Sequence, residues 1–201
     1  MKGIPLETIG FVGSALLVMS PVWGQQAGNP AGMAPDTPKA ELAQPPANFP
    51  NTVDQLFARQ AFLGGQAEVE LGKLAVQRAQ ADPVKQFAHH MIDDHSGANE
   101  RLSKLTKANR AALPKGPDAD PDARAVRAQL EKLHGADFDL AYMAAQVGDH
   151  QKTAHLLEHE IGAGQDVEVK AYAKDSLPTV MRHLEMARAL QAQLAGALPR
   201  G

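Results

Sequence analysis

The chain has 201 residues, no cysteine, a formal net charge of −3 and a mean hydropathy of −0.29. Without cysteine there are no disulfide frameworks, thiolate metal sites, cysteine nucleophiles or lipoprotein anchor, and a pI near 6.2 leaves no electrostatic footprint for nucleic acid. Apolar residues make up 44% but aromatics only 4%, a balance that favours helices over sandwiches or barrels.

Residues 1–24 read as a signal peptide. Lys2 supplies a positive start, Ile9 to Met19 an apolar stretch, and Gly24 a small residue at the expected cleavage point. That stretch is too short to span a bilayer, which takes about 20 residues. Residues 25–50 carry Pro30, Pro35, Pro38, Pro45, Pro46 and Pro50, and their composition predicts a disordered Pro-rich linker. Residues 51–198 are left to form the folded domain. Taken together, these features predict an exported, periplasmic protein with no transmembrane segment after signal removal. Outer-membrane association is open.

Apolar spacing of three and four residues predicts a first long helix from about Val53 to Ala79. Its stripe of Ala61, Gly65, Glu68, Leu71, Gly72 and Ala75 is rich in small residues, which let a neighbouring helix approach closely. Asp82-Pro83 stops that helix and starts a second, reaching about Asn109, with Val84, Phe87, Met91, His95 and Leu102 on one stripe. Pro114, Gly116, Pro117 and Pro121 then break the pattern. A short helix is expected from Asp122 to His134, with Gly135 as its stop and His134 capping its dipole. A third long helix spans about Asp137 to Gly162, with Met143, Val147, His150 and Leu157 inward. A fourth spans Asp166 to Leu198, with Tyr172, Val180, His183 and Leu184 inward, and Pro178 is expected to kink or split it. The fold class predicted is an all-α, antiparallel four-helix bundle with a short extra helix in the connection between the second and third long helices. Simple up-down and ferritin-like crossover topologies are both open.

Each long helix sends one ligand-type side chain inward: Glu68, His95, His150 and His183. Glu68 lies thirteen residues before Ala81 and His95 fourteen after it. Both therefore stand roughly 20 Å from the turn at 1.5 Å per residue. In the second hairpin, His150 precedes Gly164 by fourteen residues and His183 follows it by nineteen, an offset of roughly 7 Å. Asp94 and Asp149 immediately precede His95 and His150. An aspartate cannot serve its own helical neighbour, so Asp94 is expected to orient His150, and Asp149 to orient His95, if the second and third long helices pack together. Such a group suits a transition metal ion, iron, zinc or copper. The plain alternative is a structural network of buried His and Asp in an envelope interaction module, working with an envelope protein partner or as a homo-oligomer. His89, His90, His155 and His159 are read as solvated flanks. No Gly-x-Ser-x-Gly elbow or phosphate loop supports nucleophilic hydrolysis or nucleotide chemistry, so no catalytic residue is assigned.

Five motifs occur in order: Phe62-Leu63-Gly64-Gly65-Gln66-Ala67-Glu68, Phe87-Ala88-His89-His90-Met91-Ile92-Asp93-Asp94-His95, Phe138-Asp139-Leu140-Ala141-Tyr142-Met143, Asp149-His150, and Leu177-Pro178 followed by His183-Leu184. Together they resemble the exported bacterial domain-of-unknown-function family 4142 over about residues 53–192. The resemblance implies a ferritin-like bundle in the cell envelope and supplies no reaction. The family's recurrent positions coincide with Glu68, Asp94, His95, Asp149, His150 and His183.

Overall fold

A computed structural model describes residues 50–108, 113 and 120–197. The signal peptide expected at 1–24, the Pro-rich linker apart from Pro50, and most of the Pro- and Gly-rich break after the second helix lie outside the described residues. Within them are five helices: α1 (Thr52–Arg78), α2 (Asp82–Ala108), α3 (Pro121–Leu130), α4 (Gly135–Ala163) and α5 (Val167–Gly196). None is long and apolar enough to cross a membrane.

Local chemistry sets these boundaries. Asn51 and Asp54 form a capping box at the start of α1. Asp120 caps α3 with Pro121 at its first position, and Asp166 accepts the backbone N–H groups of Glu168 and Val169 at the start of α5. One boundary corrects the sequence reading. The short helix already ends at Leu130, and His134 and Gly135 begin α4 instead of closing α3. Gly135 adopts φ +58°, which only glycine takes without strain. His134 therefore sits at a helix N-terminus, where a cation gains nothing from the dipole. Pro178 does not split α5, which is continuous through it. Pro178 and Lys174 are both exposed, so the Lys174 carbonyl freed by the missing N–H can turn to water.

The helices close a ring. α1 packs on α2 and α4 on α5, while α1 also meets α4 and α2 meets α5. α2 and α4 therefore stand diagonally across the core. End-to-end contacts set the directions. The backbone N–H groups of Gln80 and Ala81, after α1, donate to Asp139 near the start of α4 at 3.0 and 2.8 Å. At the other end, those of Gln165 and Asp166, before α5, donate to Asp54 near the start of α1, each at 3.0 Å. The helices run up, down, down, up, so the chain between α2 and α4 traverses the bundle lengthwise. One long crossover thus joins the two hairpins, and α3 packs against α1 and α4.

The core has two apolar halves. One, at the α1–α2 turn, gathers Leu71, Leu74, Phe87, Met91, Phe138, Tyr142 and Met143. The other gathers Phe57, Leu102, Leu157, Tyr172 and Val180. Fully burying each such large side chain contributes about 1.5–3 kcal/mol. Between these halves each long helix carries a polar residue turned inward: Glu68, Gln146 with His150, and His183 are buried, and His95 is half-buried.

Candidate metal centre

His95 of α2, His150 of α4 and His183 of α5 meet in that polar layer. Their ring centroids form a nearly regular triangle with sides of 5.6, 5.7 and 5.4 Å. One ring nitrogen from each lies within 4.8 Å of one from each of the others. His150 and His183 are both 1% exposed.

Hydrogen bonds define what each ring presents. The Nδ1–H of His150 donates to the Gln146 carbonyl at 2.9 Å, leaving Nε2 as a lone pair. The Nε2–H of His183 donates to Asp94 Oδ2 at 2.8 Å, leaving Nδ1 as a lone pair. His95 Nε2, His150 Nε2 and His183 Nδ1 are all buried without a hydrogen-bond partner. Burial and the neighbouring imidazoles push His95 down to about 3, and burial followed by His183 pushes His150 down to about 4. Burial also lowers His183, with Asp94 opposing the shift. Three neutral imidazoles are thus held with their lone pairs unused. A tetrahedral ion bound at about 2.0–2.1 Å needs nitrogens about 3.4 Å apart. Side-chain adjustments of about 1 Å bring the triangle to that size.

His183 joins the triangle despite its sequence offset. Measured from the helix ends, His150 lies thirteen residues before Ala163 and His183 sixteen after Val167. The difference is only about 4.5 Å along the axis, within reach of two imidazole arms. Glu68 is not part of the triangle. It is buried beside Gln146, whose Nε2–H donates to Glu68 Oε2 at 2.6 Å. The two expected aspartate pairings are also corrected. Asp94 serves His183 and not His150, because α2 neighbours α5 and stands diagonal to α4. Asp149 makes no hydrogen bond to His95; it stands beside Glu68 and ion-pairs with Lys152 at 4.0 Å. Gln146 was not singled out in the sequence. Its place one helical turn before His150 was the available signal.

Glu131 ion-pairs with Arg127 at 2.9 Å. His89, His90, His155 and His159 are exposed, as expected of solvated flanks. A cleft of about 980 Å³ reaches the polar layer, lined there by Glu68, Asp94, His95, Asp149 and His183. Tyr172 and the start of α3 line it further out.

The family model described as Domain of unknown function (DUF4142) matches residues 38–190. No functionally curated protein matches the sequence. Among solved structures, a candidate secreted DUF305 protein of Streptomyces coelicolor aligns with a TM-score of 0.61 at 16% identity, over 74% of this chain and 98% of its own. A DUF305 fragment of Deinococcus radiodurans gives 0.63 at 13%, over 72% and 99%. CopM in its Cu(II)-bound form gives 0.55 at 15%, over 70% and 96%. At these identities the likeness is one of fold.

Proposed function

The chain belongs to the family described as Domain of unknown function (DUF4142), a description that supplies no reaction, and we propose its function from the site: an exported helical-bundle protein of the cell envelope that binds one transition-metal ion through His95, His150 and His183. The observation that carries this reading is that His95, His150 and His183 each hold a buried ring nitrogen without a partner and bring one ring nitrogen apiece within 4.8 Å of the others. Buried polar atoms are otherwise almost always satisfied. A packed core network would have paired these nitrogens with donors.

The surroundings support the same reading. Metal-binding histidines usually donate their second N–H to a carbonyl or carboxylate. His150 and His183 do so, to Gln146 and Asp94. Three imidazoles without a thiolate suit zinc, copper or iron better than magnesium or calcium, and three protein ligands leave a coordination position open. Copper is the first ion to test, since CopM, which shares the fold, is known in a Cu(II)-bound form. The role that fits is metal handling or oxidative protection in the periplasm. Support for export comes from the Lys2 and Ile9–Met19 pattern and from the candidate secreted relative of fold.

The test is elemental analysis of the protein purified from the periplasm, beside a His95→Ala/His150→Ala variant whose helicity is checked by circular dichroism. About one equivalent of copper, zinc or iron is expected in the parent and less than a tenth of that in the variant. Equal metal content in both would remove the reading and leave the triangle as a core network.

A further inference from the structure

Beside the histidine triangle the polar layer holds a second group of side chains that the triangle does not use. Glu68 is 4% exposed, and its carboxyl shares a hydrogen bond with Asp149. Gln146 and Tyr142 are each 0% exposed, and Gln146 Oε1 and Tyr142 Oη are without partners. Gln146 touches Glu68 directly through its amide nitrogen. Asp149 faces Glu68 from the cleft. Burial first, and then the Asp149 charge, push the Glu68 carboxyl well above the usual carboxylate range. The Glu68 charge in turn adds to burial in raising Tyr142.

Glu68, Gln146 and Tyr142 are therefore grouped in the interior beside the 39%-exposed Asp149, with the Gln146 and Tyr142 oxygens unused. Lys152 is the cation that pairs with Asp149, at 4.0 Å, and its own side chain is 76% exposed. The Glu68 carboxyl keeps its proton, because a second negative charge beside Asp149 would be costly here. A divalent cation would displace that proton and satisfy the orphaned oxygens together. All the donors are hard oxygens, which suit manganese better than the copper, zinc or iron that imidazoles take. The cleft lined by Glu68 and Asp149 gives the entry path.

We propose that Glu68, Asp149 and Gln146 Oε1 form a second, oxygen-donor site for a hard divalent cation of the manganese class, beside the histidine triangle, with the Tyr142 hydroxyl near Glu68. Gln146 joins the two sites: its carbonyl holds His150, and its side chain holds Glu68.

The experiment titrates Mn2+ into the metal-stripped full chain, read by loss of the free-ion electron paramagnetic resonance signal. The parent is compared with Glu68→Gln, Asp149→Asn and His183→Ala. Glu68→Gln mimics the protonated acid in shape, and Asp149 lies at the cleft, so at least one of the two folds normally by circular dichroism. One Mn2+ is expected to bind the parent. His183→Ala, on α5, retains it within threefold, and Glu68→Gln or Asp149→Asn weakens it at least tenfold. The proposal is overturned if the parent takes up no Mn2+ to millimolar concentration, or if both carboxylate variants bind like the parent. It is also overturned if only His183→Ala loses binding, which assigns Mn2+ to the triangle and leaves the histidine reading standing. Conversely, Mn2+ binding with no uptake of copper, zinc or iron removes the histidine reading alone.

Discussion

At the scale of the residue, the site depends on groups that fix the imidazoles as much as on the imidazoles themselves. Asp94 holds the His183 Nε2–H at 2.8 Å and so leaves Nδ1 as the free lone pair. Partners of this kind typically change metal affinity by 10–100-fold. On the proposed reading, Asp94→Ala should weaken copper or zinc binding by about that factor. Isothermal titration calorimetry checks it. Folding should be little affected, because the Asp94 side chain is 43% exposed. Unchanged affinity would mean that His183 is oriented by packing alone. The three inward histidines were legible in the sequence because helical spacing fixes which face a residue occupies. The carboxylate partner of His183 was not. His183 and Asp94 are 89 residues apart in the chain, and local spacing is silent about such pairs.

At the scale of the element, the seam between α1 and α2 rests on small residues. A Cβ added at Gly72 would lie 2.9 Å from Ile92 Cγ1 and 3.0 Å from the Ala88 backbone oxygen, and one at Gly65 would strike the Asn99 side chain. Gly→Ala inside a helix normally gains about 0.8–1 kcal/mol, but overpacking costs about 1–3 kcal/mol. Since a backbone carbonyl cannot swing aside, Gly72→Ala should lower stability by about 1 kcal/mol in a urea titration. A stabilised variant would show that the helices slide apart freely. The seam was visible in the sequence as a stripe of small residues. The devices that tie its ends were not. Asp139 caps the α1–α2 turn and Asp54 caps the α4–α5 turn, each reaching across to the other hairpin. They read in sequence as ordinary first-turn acids, because a cap donated from another helix leaves no local pattern.

At the scale of the whole molecule, the end of the bundle where Asp54 sits couples stability to pH. Glu160 is 0% exposed, and its carboxyl hydrogen-bonds the neighbouring Asp54. Burial, then neighbouring Asp54, push it up to about 8. The folded state thus keeps a proton that the unfolded chain releases near 4.5, so this group's contribution is present at low pH and is lost as pH rises from about 4.5 through 8. Melting temperatures from pH 5 to pH 9 should fall for the parent relative to Glu160→Gln, which carries no titrating proton there. Parallel curves would contradict the assignment. The same division between near and far explains what each level of information settled. Sequence by itself determined an all-α bundle, the placement of its long helices, the small-residue seam, and three histidines and a glutamate turned inward. All of these follow from caps, breakers and spacing within a few residues. Only the tertiary structure decided that α2 and α4 stand diagonally, that the crossover runs the length of the bundle, that Glu68 joins Gln146 and Asp149 apart from the histidines, and that Asp94 serves His183. The physical reason is that helix order around the ring is set by the packing of whole faces and by the path of one long connection, and it alone determines which side chains meet.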